Sequence, residues 1–210
     1  MNGNLFHQTS RLIGLLFRQA RMKIIVWLAI LVGLTLSVAI AYPSVYQTEE
    51  DKIGFALTME NPAMIAMLGP SFDLEKLTIG AIFAHEMFLF TTIAAAVMNI
   101  LLVASSTRGD EEDGRLELIQ ALPVGRLAYL HASFIVIVIV NLLLSLLTGI
   151  GLYFIGAEGI DGEGAFLYGI LLGAVGLFFA GITYIFSQLF ETARQVTLWS
   201  IFLLIGAYIV

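Results

Sequence analysis

Five long apolar runs fill most of this chain: Ile24–Tyr42, Met87–Ser106, His131–Ile155, Ala165–Phe190 and Val196–Val210. A bilayer's hydrocarbon core takes about 20 apolar residues of helix, and the first four runs are long enough to cross it. The fifth stops at the last residue with no polar anchor behind it, and reads as a short or cut-off span. Lipid offers backbone groups no hydrogen-bond partner, so a crossing run must be a helix or part of a closed barrel. The runs are unbroken rather than alternating, which argues against a barrel. They carry almost no ionisable side chain, each of which would cost about 2.5–3.5 kcal/mol at a span's centre. With 59% hydrophobic and 12% charged residues, the chain lacks the charge to solvate a soluble surface. The expected fold class is all-α: a polytopic membrane helix bundle forming one transmembrane domain over residues 1–210.

Positive charge sets the orientation, because Lys and Arg accumulate in cytosolic loops. Eight of the ten fall on one side: Arg11, Arg18, Arg21 and Lys23 before the first span, Arg108, Arg115 and Arg126 after the second, and Arg194 after the fourth. The amino terminus is therefore expected in the cytosol, with residues 43–86 and 156–164 outside. The expected location is the plasma membrane, as a multi-pass protein, with a bacterial source expected. Five spans would leave Val210 outside, an arrangement expected to reflect where the chain was cut. The net charge of −6 comes mainly from the outer loops and one acidic cytosolic turn, and no basic, aromatic footprint for nucleic acid is present. The first span, ending in Ala39-Ile40-Ala41, shares features with a signal peptide. The leader before it is too long for one and has its own helical pattern. The absence of cysteine excludes a disulfide framework, a thiolate nucleophile and a Cys-type zinc site.

Three polar segments stand out. In the leader, residues 4–23, Leu5, Leu12, Ile13, Leu16 and Phe17 recur at helical spacing, with Arg11, Arg18 and Arg21 opposite. Such a helix lies in the membrane interface with its basic side toward lipid phosphates. The outer segment holds a short helix, with Asn61 as cap, Pro62 at its first position and Gly69-Pro70 as its stop. The loop 107–126 begins with Asp110, Glu111, Glu112 and Asp113, which suit the positive end of a helix. Glu111 and Arg115 stand four apart in the favourable order. Leu116, Leu118, Ile119 and Leu122 share one side, and Pro123 ends the helix. An apolar side on a cytosolic helix marks a contact.

Other chemistry fails on spacing. No phosphate-binding loop is present, and His85-Glu86 lacks the second His of a zinc protease helix because Leu89 occupies its place. The acidic run 110–113 lacks the alternating ligands of a calcium loop, and His131 reads as an interfacial packing residue. No nucleophile–base pair stands out. Within the spans Asn99 and Asn141 seek interhelical hydrogen bonds, worth roughly 0.6–2 kcal/mol each. Small residues at four-residue steps (Ala29, Gly33, Ser37 and Ala41; Gly169 and Gly173; Gly176 and Ala180) mark faces for close helix packing, within the chain or against another copy.

The string Thr107-Arg108-Gly109-Asp110-Glu111-Glu112-Asp113-Gly114-Arg115-Leu116-Glu117-Leu118, followed by Leu122-Pro123-Val124-Gly125-Arg126, resembles the permease family of type-2 ABC exporters. It is most similar to the tetronasin type, exporters of polyketide antibiotics. Asn61-Pro62-Ala63, Gly69-Pro70 and the order of spans are similar to that group too. The resemblance implies a transmembrane permease subunit without ATPase activity or cofactor of its own, partnered by a separate ABC ATP-binding subunit that carries ATP-Mg. It implies that the leader and the loop contact that subunit, with Glu111, Glu112, Gly114, Arg115, Glu117, Leu118, Leu122 and Pro123 forming a coupling helix. Members of the group resemble two six-span halves in tandem, so the chain is expected to be an amino-terminal half that stops early and pairs with a second half or another copy. The substrate implied is a hydrophobic or amphiphilic compound. The competing classes are an ion-coupled carrier, which would need ionisable groups at midplane, and a non-transporting scaffold or sensor.

Overall fold

A computed structural model of the chain describes residues 5–69, 78–121, 123–125, 127–156 and 158–209. Among these the secondary structure is helical and no strand occurs, the all-α class expected of a membrane helix bundle. The helices are α1 (Thr9–Val45), α2 (Glu49–Met59), α3 (Pro62–Leu68), α4 (Ile79–Ala104), α5 (Asp110–Glu112), α6 (Arg115–Gln120), α7 (Ala128–Ile155), α8 (Gly162–Leu189) and α9 (Ala193–Ile209), with a π-helical turn, Ser105–Gly109, between α4 and α5. Among the described residues, four helices are long and apolar enough to cross a membrane: α1, α4 with its continuation to Glu112, α7 and α8. α9 has 17 residues and a length of about 25 Å at 1.5 Å per residue, short of a bilayer core.

The leader and the first span are one helix rather than two. The helix is continuous from Thr9 to Val45, with its one proline, Pro43, in the last turn, so the change from amphipathic to wholly apolar pattern at Ile24 is a change of surroundings and not a joint. Leu12, Leu16 and Ile24 are buried at helical spacing, while Arg11, Arg18 and Arg21 stay exposed.

By contacts the chain forms two compact units: Met1–Trp27 with Ala94–Leu143 and Gly173–Val210, and Leu28–Ile93 with Leu144–Leu172. In the second unit α2 is a helix that the sequence pattern did not predict. Thr48 and Asp51 cap it reciprocally, a capping box that satisfies two otherwise orphaned N–H groups. The Thr48 backbone N–H, with the Thr48 hydroxyl, holds the Asp51 carboxyl below its ordinary pKa. Lys52 bonds to Glu49 at 3.1 Å and Glu158 at 3.3 Å, and the Glu49 bond raises its pKa. Phe55 and Met59 enter a core with Ile82, Phe83 and Leu152. Tyr42, Phe83 and Tyr168 continue that core, with ring centroids 5.5 Å apart at each step. Tyr42 donates its hydroxyl to Glu86. α3 has the cap expected from the sequence: Asn61 accepts the Ala63 N–H at 2.9 Å, and Gly69 ends the helix with φ +87°.

Of the small-residue faces, Ala29, Gly33 and Ser37 lie exposed on α1. Gly169 is buried in close contact: a Cβ there would stand 2.3 Å from the Ser145 carbonyl oxygen. Gly173 is also buried.

Candidate functional site

The first unit contains an elbow that leaves the end of one long helix, projects, and returns into the next. α4 does not stop where the acidic run begins. It runs on through the π turn into Asp110–Glu112. Asp113 then turns, and Gly114 takes φ +69°, a left-handed backbone that costs other residues roughly 1–2 kcal/mol. α6 starts immediately afterwards at Arg115. The acidic residues therefore close a long helix instead of opening a short one. The pairing expected between Glu111 and Arg115 does not form, because Gly114 breaks the helix between them and a four-residue step needs a continuous one. Arg108 pairs with Glu111 instead. Arg115 turns back to Asp110 and Asp113, each at 3.0 Å.

Asp110 organises the elbow's root. It is 3% exposed, and its carboxylate accepts from Gln19 of α1 at 2.9 Å, from Arg115 at 3.0 Å and from the Tyr129 hydroxyl of α7. A buried carboxylate is tolerable only when paired and hydrogen-bonded, and these three donors come from three separate helices. Two further bonds fix the same region. The Arg108 guanidinium donates to the Ser187 carbonyl of α8 at 2.6 Å. Glu112 accepts the Ala193 N–H at 2.9 Å, at the first residue of α9, where a helix presents unpaired donors. The returning end is tied as well: Gly125 N–H donates to the His7 carbonyl and Leu127 N–H to the Leu5 carbonyl, both at 3.2 Å.

What projects from this framework is α6. Leu118 is 74% exposed; Glu117 and Pro123 are also exposed, while Leu116 and Ile119 are half-buried. Leu122 and Arg126 lie outside the described residues. Beneath the elbow is a cavity of about 480 Å³ lined from α1, the π turn, α5, Arg115 and α7.

Deeper in the same unit, Asn99 and Asn141 bond to each other. The Asn99 amide donates to Asn141 Oδ1 at 3.0 Å and the Asn141 amide to Asn99 Oδ1 at 2.7 Å. Each also donates to a carbonyl one turn back, Ala95 and Ile137 at 2.9 Å. Gly176 of α8 faces this pair, and a Cβ there would fall 2.3 Å from Asn141 Oδ1 and 2.5 Å from Asn99 Nδ2.

The sequence singled out Glu111, Glu112, Gly114, Arg115, Glu117, Leu118 and Pro123, and the structure sets them all on the elbow. It read Asp110 only as part of a helix start and did not single out Gln19, Tyr129 or Ser187, which together with Asp110 hold the elbow in place. A buried carboxylate within a run of four acidic residues has no mark of its own in one sequence.

Residues 10–209 match the family model described as "Multidrug efflux system permease Rv1217c, C-terminal domain". The chain is also 32% identical over 199 residues to the multidrug efflux system permease protein Rv1217c of Mycobacterium tuberculosis, covering 91% of this chain and 34% of that protein. It thus spans about a third of the length of this curated relative. The description of the model as a C-terminal domain differs from the amino-terminal placement expected from the resemblance. By this match over nearly its whole length, the chain belongs to the family of the C-terminal domain of the Rv1217c multidrug efflux system permease.

Proposed function

We propose that the chain is the transmembrane part of an efflux permease, driven by ATP hydrolysis on a separate ABC subunit that engages the elbow at α6. Family membership supports the efflux permease. The observation that supports coupling at the elbow is the contrast between its tip and its root. Leu118 stands exposed on a short helix outside the long apolar helices, an apolar side chain within reach of a partner subunit. Asp110, a few residues away, is bonded to α1, α6 and α7, so a push on the tip is carried into helices long enough to cross the membrane. In this scheme Glu111, Glu112, Gly114, Arg115, Glu117 and Pro123 shape and hold the contact. Arg11, Arg18 and Arg21 face lipid phosphates beside it, with the amino terminus in the cytosol of a bacterial cell. The chain supplies no catalytic group; ATP-Mg belongs to the partner. A second half or another copy completes the pathway across the exposed Ala29–Gly33–Ser37 face, and an amphiphilic compound such as an antibiotic is the cargo.

A proton-coupled carrier has one observation in its favour: Glu86 sits about two turns inside α4 and accepts from Tyr42. The two mechanisms separate on energy source. Inside-out vesicles containing the full-length permease and its ATPase should take up substrate with ATP and without a proton gradient. Uptake that needs the gradient and ignores ATP would reverse the assignment. Position 118 adds a local check. This chain contains no cysteine, so Leu118→Cys introduces the only thiol within these residues, which should cross-link to the ATPase subunit.

A further inference from the structure

α3 is apolar along its whole length, Pro62–Leu68, yet none of its residues is buried in the protein. Met64 and Leu68, one turn apart, are half-buried against the core that contains Phe55, Met59 and Phe83. Ala63, Ile65 and Ala66 lie on the other sides of the helix and are exposed, Ile65 by 39%. A helix that is apolar all round belongs inside a protein or a membrane, and the protein does not enclose this one. Its amino end leaves no open N–H. Pro62 has none, Ala63 donates to Asn61 Oδ1 at 2.9 Å, and Met64 and Ile65 donate to the Asn61 carbonyl at 2.9 and 3.0 Å. Such internal satisfaction is what lipid requires of a backbone.

Neighbouring helices fix its depth. Leu68 and Gly69 line one cavity with Ala84 and Leu89 of α4 and with Leu167 and Leu171 of α8. At 1.5 Å per residue these positions lie about 8–15 Å from the start of α4 and about 8–14 Å from the start of α8. The apolar run of α4 that can fill a hydrocarbon core begins at the same level, at Met87. The end of α3 therefore stands beside the spans, where hydrocarbon begins, and not above them.

We propose that α3 is embedded in the bilayer leaflet at which α4 begins, with Ala63, Ile65 and Ala66 against lipid acyl chains. Its partner is the lipid itself, and α3 is an interfacial anchor. Glu60, exposed just before the Asn61 cap, stays on the water side. Met64 and Leu68 pack on the core that joins Tyr42 of α1 to Phe83 of α4, so the packing of lipid in that leaflet bears on both spans. This placement requires only that α4 and α8 cross a membrane, and it is independent of the energy source.

The test is a nitroxide label at Ala66→Cys in a cysteine-free full-length permease, reconstituted in vesicles of phosphatidylethanolamine and phosphatidylglycerol without ATP. Its collisions are measured with oxygen, which concentrates in hydrocarbon, and with a neutral nickel chelate, which stays in water. At position 66 oxygen collisions should exceed nickel collisions, at a depth of about 5–10 Å from the headgroup boundary. The same label at Glu50→Cys, exposed on α2, should show the reverse order. Adding Ile65→Asp puts a charge on the embedded side, which lipid disfavours. It should return the label at 66 to the reach of nickel, with the unfolding temperature retained. Collisions at 66 that match those at 50 would put α3 in water. Shielding from both reagents would put a protein surface over it, a second half or another copy. Either result overturns the placement, as does a label that stays in oxygen's domain when the folded chain carries Ile65→Asp.

Discussion

Replacing Gly176 with alanine tests whether the asparagine pair organises the first unit. The added methyl would stand 2.3 Å from Asn141 Oδ1 and 2.5 Å from Asn99 Nδ2, well inside contact distance, so the pair must separate or α8 must move. Two interamide bonds are at stake, at 3.0 and 2.7 Å, each worth about 0.6–1.7 kcal/mol between membrane helices. Overpacking adds roughly 1–3 kcal/mol, and exchanging glycine for alanine in a helix returns about 1 kcal/mol. The net expectation is a loss of about 1–5 kcal/mol, centred near 3. The control is Gly181→Ala, on the same helix, where no atom lies within 4 Å of the new methyl. It should be neutral or slightly stabilising. Reversible unfolding in mixed micelles measures both. In a background carrying Asn99→Ala and Asn141→Ala the methyl has room, and Gly176→Ala should then cost little. If Gly176→Ala proves no worse than Gly181→Ala, the pair does not hold these helices and the close approach has no energetic weight.

The elbow and α2 give further expectations. Gly114→Ala has open space around its methyl but must adopt φ +69°, so it should cost about 1–2 kcal/mol, read as faster amide exchange over 110–120. Asp51 has a lowered pKa in the folded chain. Its contribution to α2 is complete above the ordinary carboxylate pKa and disappears as pH falls through the lowered folded value. Exchange protection of residues 49–59, corrected for intrinsic rates, should fall over that acid window, and Asp51→Asn should remove the pH dependence.

Much of this was legible in one sequence because the bilayer makes a strict demand. A crossing segment must be long, apolar and helical, so α1, α4, α7 and α8 announce themselves. Asn99 and Asn141 were legible as polar groups in need of partners, since lipid provides none. That they choose each other, and that Gly176 leaves the space, depends on helix rotation, which spacing alone does not fix. α2 was missed although Thr48 and Asp51 spell a capping box, because its few buried residues, Lys52, Phe55 and Met59, give too weak a stripe. The acidic run misled for a physical reason: Asp110–Glu112 resembles a helix start, yet α4 runs into it through the π turn, and Gly114 then resets the direction. Asp110 differs from its acidic neighbours only in burial, which tertiary packing decides.

The proposal that the elbow transmits force through Asp110 is tested most directly by Asp110→Asn in the full-length permease, reconstituted with its ATPase. The change preserves size and removes the charge that Arg115, Gln19 and Tyr129 hold. Charge-assisted hydrogen bonds contribute about 1.5–3 kcal/mol, and weakening the clasp by about 1.4 kcal/mol corresponds to a factor of ten. Substrate moved per ATP hydrolysed should fall about tenfold while the ATPase still copurifies and hydrolyses ATP. An unchanged ratio, with complex and hydrolysis intact, would show that force does not pass through this carboxylate.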